Sequence, residues 1–186
     1  MNENISPLFI VDAMFGKLGK FLRLLGFDTE IANSDLKDSQ IFEIALKTNR
    51  ILITRDKKFY ETAQSQLKKR NLSPNMALFI PFQEIVEELV EIFSILGIDP
   101  ESFIWKEGED IPFQSFQSRC SMCNHELIIV EKISIIEKIP LNSATNFMKF
   151  WQCTNDNCGK IYWIGRHWED IRNKLIKVKR IMQDRE

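Results

Sequence analysis

The chain has 186 residues, 44% hydrophobic and 27% charged, with 25 Lys and Arg against 26 Asp and Glu, and so a formal net charge of −1. This is the composition of a folded globular protein, and it excludes a disordered chain and a globally basic nucleic-acid binder. The longest apolar runs, LFIV at 8–11 and IFSILGI at 92–98, fall far short of the roughly 18 residues of a membrane span, and the amino terminus has no basic stretch ahead of its apolar one, so a cytoplasmic location is expected.

In chain order, LFIV has strand length, and Phe15, Leu18, Phe21, Leu22 and Leu25 then recur at helical spacing until Gly26 stops the helix. FDTEIA (27–32) is a second strand. A helix from Asp38 to Lys47 turns Ile41, Ile44 and Ala45 inward, and RILIT (50–54) is a third, buried strand. A helix from Lys57 to Lys69, a strand MALFI (76–80) and a helix from about Gln83 complete the series. Alternation at this spacing predicts an α/β unit with a parallel sheet flanked by helices, whose functional crevice lies at the carboxyl ends of the strands.

Charge divides the chain. Residues 1–83 sum to +3, residues 84–113 to −8 and residues 114–186 to +4. The acidic block begins as an amphipathic helix and from about residue 97 runs into Gly, Pro and acids, as a connection does. The expected units are therefore 1–113 and 114–186.

Three aspartates fall at the predicted crevice: Asp12 directly after the first strand, Asp56 directly after the third, and Asp38 at the head of the second helix. Carboxylates converging there suit Mg²⁺ or Mn²⁺, and that constellation points to metal-assisted phosphodiester chemistry. Singly, each reads as a helix N-cap; three at one edge favour the metal. Asp35 is an alternative to Asp38 on the same loop, and Asp28, at the start of a strand, reads as a turn acid. On the first helix, Gly16, Gly19 and Arg23 share a face, which either packs closely on another backbone or admits a nucleic-acid backbone. In the second case Lys17, Lys20, Arg23 and Arg55 supply phosphate contacts; the alternative is a solvated basic face.

In the second unit, Cys120-Ser-Met-Cys123 and Cys153-Thr-Asn-Asp-Asn-Cys158 stand 29 residues apart. In a reducing compartment two close cysteine pairs indicate a closed, four-thiolate Zn²⁺ site. ELIIVEKISII, FMKFWQC and KIYWIG have strand character, so the unit reads as a small β-rich zinc ribbon. His125 replacing one Cys, and a redox pair, are the competing readings. The chain ends in a helix bearing Arg172, Lys174, Lys177, Lys179 and Arg180. Beside it Trp151, Tyr162, Trp163 and Trp168 offer either an aromatic surface for single-stranded RNA or ribbon core, and for the tryptophans core is preferred.

The strings IVDAMFGKLGKFLRLLGFDT, DSQIFEIA, RILITRDKKF, RCSMCNHEL and CGKIYWIGRHW, in this order, resemble the Mut-seven C-terminal ribonuclease family from about Phe9 to Trp168. The resemblance implies a PIN-like nuclease fold with an appended zinc ribbon and a metal-dependent endoribonuclease acting on RNA. It implies catalytic and Mg²⁺- or Mn²⁺-binding roles for Asp12, Asp38 and Asp56, and structural zinc on Cys120, Cys123, Cys153 and Cys158. It places Lys17, Lys20, Arg23 and Arg55 among basic residues near the site. The second knuckle is longer than the CxxC expected of the family, and a fourth acid is not placed. The rival expectation is a catalytically silent RNA- or protein-binding module; a toxin-like nuclease is a third, and no antitoxin is indicated.

Overall fold

The computed structural model describes residues 6–81, 83–106 and 117–185; the boundary expected near residue 113 lies outside them. Strands β1 (Phe9–Val11), β2 (Thr29–Ile31), β3 (Ile51–Thr54) and β4 (Ala77–Phe79) pair in parallel in the order β2-β1-β3-β4. Val11 lies opposite both Ile31 and Ile53, and Ile53 opposite Leu78. Because side chains alternate across a strand, Phe9, Val11, Ile53 and Leu78 enter one core, and Ile10, Leu52 and Ala77 another. Helices α1 (Gly16–Leu24) and α4 (Ile85–Leu96) cover the first face, α2 (Asp38–Lys47) and α3 (Lys57–Lys69) the second. The bounds of α2 and α3 are those read from the sequence. β4 starts one residue later than expected because Pro74–Met76 forms a 3-10 turn capped by Ser73.

A second, antiparallel sheet has the order β5-β6-β7, from β5 (Leu127–Val130), β6 (Phe150–Cys153) and β7 (Ile161–Tyr162). Here the sequence reading needs correction. ELIIVEKISII stays a strand only over 127–130, the residues paired with β6; after Glu131 the chain turns helical as α5 (Lys132–Ile135) and, further on, α6 (Leu141–Asn146). Ile135, Ile139 and Ala144 then cover Phe150 on one face of the small sheet.

The last helix, α7 (Arg166–Gln183), turns Trp168, Ile171, Leu175 and Val178 inward and packs on α4 and on the 3-10 turn Pro100–Phe103. Cations on this helix and just beyond it hold the packing. Arg172 Nε donates to the Trp105 carbonyl at 2.7 Å, Lys179 pairs with Glu101, and Arg185 pairs with Glu91 at 2.9 Å. Trp151, Tyr162 and Trp168 lie in the same core as Phe9 and Phe93, so the two sheets share one hydrophobic interior. The tryptophans at 151 and 168 are therefore core, as preferred above. Among the described residues no helix is long and apolar enough to cross a membrane.

Candidate active site and metal centre

The chain leaves β1 for β2 on one side and returns to β3 on the other, so the order of the sheet reverses between β1 and β3. Open α/β sheets bind their ligands at such a switch point, beyond the carboxyl ends of the strands. Asp12 and Asp56 follow those two strands. Asp12 Oδ1 accepts from the Met14 N–H at 2.7 Å, and its Oδ2 accepts from the Thr54 hydroxyl at 2.9 Å. The same hydroxyl accepts from the Asp56 N–H at 3.1 Å, so one buried threonine ties both acids together. Asp56 also caps α3, accepting from the Phe59 N–H at 2.9 Å.

Asp38 opens α2, whose N-cap is Lys37, one residue earlier than the capping role suggested for Asp38. Its carboxyl is raised above the ordinary aspartate value, first by burial and then by the negative charges of Asp56 and Asp12. Asp38 thus lies within the field of the other two acids, and among the described residues none of the three forms an ion pair. They stand more openly than the cysteines described below: they do not converge within 4.8 Å of one another. Hard oxygen donors with uncompensated charge are a donor set that fits a divalent cation such as Mg²⁺ or Mn²⁺. Asp35 is exposed, and its N–H is held by Asn33 Oδ1 at 3.2 Å.

An acid that the sequence reading missed lies alongside. Glu88 on α4 is 5% exposed and pairs with Arg55 at 3.4 Å, while the Arg55 guanidinium stacks 4.1 Å from the centre of the Phe15 ring. Burial raises the Glu88 carboxyl, and Arg55 and Lys17 oppose the rise. A signal for it was present: Ile85, Glu88, Leu89 and Ile92 follow i, i+3, i+4, i+7, which puts an acid in the apolar stripe of α4. Of the basic residues expected at the site, Lys17 and Lys20 are exposed on α1 and Arg55 is half-buried against Phe15.

Arg23 has another role, and the structure corrects its assignment to phosphate. It is 6% exposed, with Nε donating to the Thr29 carbonyl at 2.7 Å and Nη1 to the Ser121 and Met122 carbonyls at 3.1 and 3.0 Å. The guanidinium is a clamp between α1, β2 and the first cysteine knuckle. Asn124, in the left-handed region at φ +67°, extends the clamp: its amide donates to Asp28 Oδ1 at 2.6 Å and accepts from the Thr29 N–H at 3.1 Å. Asp28, also paired with Arg50 at 2.7 Å, is thus part of this docking. Burial opposes ionisation of Asp28, but the Arg50 and Asn124 hydrogen bonds hold its carboxyl below the usual range. The two glycines of α1 separate as well. A Cβ on Gly19 would stand 2.7 Å from Ile31 Cγ1 and 2.9 Å from Val11 Cγ2, so this glycine serves close packing on the sheet, whereas one on Gly16 would meet nothing within 4 Å.

The four cysteine sulfurs lie within 4.8 Å of one another, the only such group of three or more His, Cys, Asp or Glu ligand atoms among the described residues. His125 stays outside, exposed, with Nδ1 3.0 Å from the Cys123 carbonyl, so the candidate ligand set is the four thiols. Burial alone would push the Cys120 thiol up; hydrogen bonds from the Tyr162 hydroxyl and from the backbone at Cys123 and Met122 bring it down to about 6. Tyr162 accepts from the Ser121 N–H at 2.9 Å while its hydroxyl stands 3.2 Å from Cys120 Sγ, the kind of outer support that orients a metal ligand. The cage is able to bind a metal ion.

A family model described as the Mut7-C RNAse domain matches residues 7–175. The chain belongs to that family. Its membership supports a nuclease-like role, and a ribonuclease domain acts on RNA. Among curated proteins and among solved structures, nothing matches the chain.

Proposed function

We propose that the chain is a PIN-like, metal-dependent endoribonuclease that hydrolyses RNA phosphodiester bonds, with Asp12, Asp38 and Asp56 holding Mg²⁺ or Mn²⁺ and the four cysteines holding a structural Zn²⁺. The observation that carries this reading is the set of three carboxylates, none in an ion pair among the described residues, beyond the carboxyl ends of a parallel sheet in a Mut7-C RNAse chain, with Asp12 and Asp56 at its switch point. A divalent cation supplies Lewis acidity and neutralises charge developing at the phosphate. The chain's own groups do the rest. Thr54 fixes the Asp12 carboxylate and the Asp56 backbone, so these two donors are oriented before any ligand arrives. Arg55, itself oriented by Glu88 and Phe15, and the exposed Lys17 and Lys20 place positive charge where a scissile phosphate would approach. In the same reading residues 1–113 form the nuclease unit and 114–186 the ribbon unit that holds RNA.

The test is cleavage of single-stranded RNA by purified, zinc-loaded protein in Mn²⁺. Asp12→Asn and Asp56→Asn should each lower the rate at least a hundredfold with the fold intact, because the Asn oxygen still accepts from the Phe59 N–H at 56 and from the Met14 N–H at 12, where only the Thr54 hydroxyl contact is lost. Full activity in both variants overturns the site. RNA retention without any metal-dependent cleavage overturns the nuclease reading in favour of a binding module.

A further inference from the structure

The segment Lys160–Trp168 carries two motifs, KIYW and GRHW, of which only Tyr162 has so far been given a chemical role. It bounds a concavity of about 250 Å³ that Leu24 and Ser121 complete from the other side. Tyr162 and Trp168 are buried beneath it and Trp163 is half-buried, so its floor is aromatic. Its rim carries the cations Lys160 and Arg166 and the imidazole of His167, all exposed, and no Asp or Glu lines the space.

These rim groups are uncommitted. Among the described residues the side chains of Arg166 and His167 form no hydrogen bond or ion pair, and Lys160 engages only the Tyr162 ring, 5.5 Å from its centre. Gly165 lets the backbone pass close to the indole edge, since a Cβ there would lie 3.4 Å from Trp163 Nε1 and 3.3 Å from Phe147 Cζ. The indole N–H has no protein acceptor among the described residues either. The cavity therefore presents several donors, no competing acid and an aromatic floor.

A ligand matching this must bring negative charge and a planar, weakly polar surface together. Inorganic phosphate would satisfy the cations and leave the aromatic floor unused; an apolar peptide would do the reverse. A nucleotide of single-stranded RNA brings both, its base against an aromatic side chain and its phosphate against Arg and Lys. The volume lies below the roughly 300–1,000 Å³ of sites for drug-sized ligands, which limits occupancy to a single base. Leu24, on the wall, ends the helix whose first residue, Gly16, adjoins the Asp12 crevice, and nine helical residues place those ends about 12 Å apart. One strand is long enough to engage both.

The geometry points to a one-nucleotide subsite for single-stranded RNA at Lys160, Trp163, Arg166 and His167. It takes its substrate class from the ribonuclease reading, whereas its binding chemistry stands without it. The experiment measures binding of a dye-labelled single-stranded oligouridylate to zinc-loaded full-length protein without added Mg²⁺ or Mn²⁺, so that nothing is cleaved. Arg166→Glu, an exposed change, should weaken binding about tenfold or more and lower the slope of log affinity against log salt by about one. Lys177→Glu, exposed on α7 outside the cavity, should weaken it less than about twofold. Trp163→Leu should weaken binding while Trp163→Phe largely restores it, each judged only with the zinc content of the parent. Equal effects of Arg166→Glu and Lys177→Glu, no measurable RNA binding by the parent, or equally tight capture of a phosphopeptide would each overturn the subsite. If cleavage fails in Mn²⁺ but Arg166→Glu still weakens RNA binding, the nuclease reading falls and the subsite stands. If Asp12→Asn abolishes cleavage and Arg166→Glu changes no affinity, the reverse holds.

Discussion

At the cysteine cage the donors are soft, close together and hydrogen-bonded to Tyr162 and the backbone; at the carboxyl edge of the parallel sheet they are hard, spread and open to water. Four sulfurs within 4.8 Å are compatible with a single closed coordination sphere. Three carboxylates that do not converge so tightly leave room for a second reactant beside any cation. On the proposed reading the contrast separates a centre that would stabilise a fold from one that would leave space for chemistry, and each is vulnerable in its own way. In that reading the cage fails when a ligand is lost, and the crevice is under electrostatic tension without a cation.

The largest effect should come from the cage. Cys120→Ser should abolish one bound zinc per chain and unfold the second sheet, because structural zinc contributes on the order of 10 kcal/mol of binding free energy in small units. Metal analysis and thermal melting check this, and a folded, metal-free protein would contradict it. Next is the clamp joining the two centres. Arg23→Ala strips partners from the Thr29 carbonyl of β2 and the Ser121 and Met122 carbonyls of the first knuckle, and should cost about 3 kcal/mol in denaturant unfolding. Arg23→Lys should recover only part of that, since an ammonium does not reproduce the fork of a guanidinium.

A smaller pair of effects, opposite in sign, tests how α1 meets the sheet. Gly19→Ala should cost about 2 kcal/mol as its methyl displaces Ile31 and Val11. Gly16→Ala, in helical backbone with open space around it, should gain about 0.7 kcal/mol.

The smallest effect belongs to the crevice itself. The Asp38 carboxyl is raised in the folded chain, so the native state holds that proton more tightly than the unfolded one does. Its contribution to stability is therefore fullest below the ordinary aspartate value of 3.8 and declines as pH rises through the raised folded value. Denaturation at a series of pH values without divalent cation should show this decline, Asp38→Asn should flatten it, and Mn²⁺ should offset it near neutrality. An identical pH profile in Asp38→Asn would show that the three acids do not share a field.

Much of the fold was legible because its signals are local. The spacing of Ile41 and Ala45 marks α2, although Phe42 rather than Ile44 completes its buried face, and the apolar runs mark the inner strands. What was hidden depends on contacts distant in sequence. Arg23 reads as a surface cation on a helix until the knuckle nearly a hundred residues later closes over it. Lys132–Ile136 has strand composition, yet the neighbouring β6 pairs with only four residues, and the excess turns into a helix that covers Phe150. For the candidate site, the positions of Asp12, Asp38 and Asp56 relative to their strands and helix were readable. The strand order that puts Asp12 and Asp56 at a switch point, and Thr54 tying them together, were not.

The interior shared by α4 and α7 also governs when during synthesis this protein can become itself. A ribosome delivers the parallel sheet first, but the first core stays uncovered on its α4 side until Ile171, Leu175 and Val178 emerge. The nascent chain should therefore expose apolar surface and remain protease-sensitive until that helix has emerged, gaining resistance only then. Limited proteolysis of ribosome-bound chains ending before residue 171 or after residue 183, each followed by a linker long enough to clear the ribosome, would register that closure as a step.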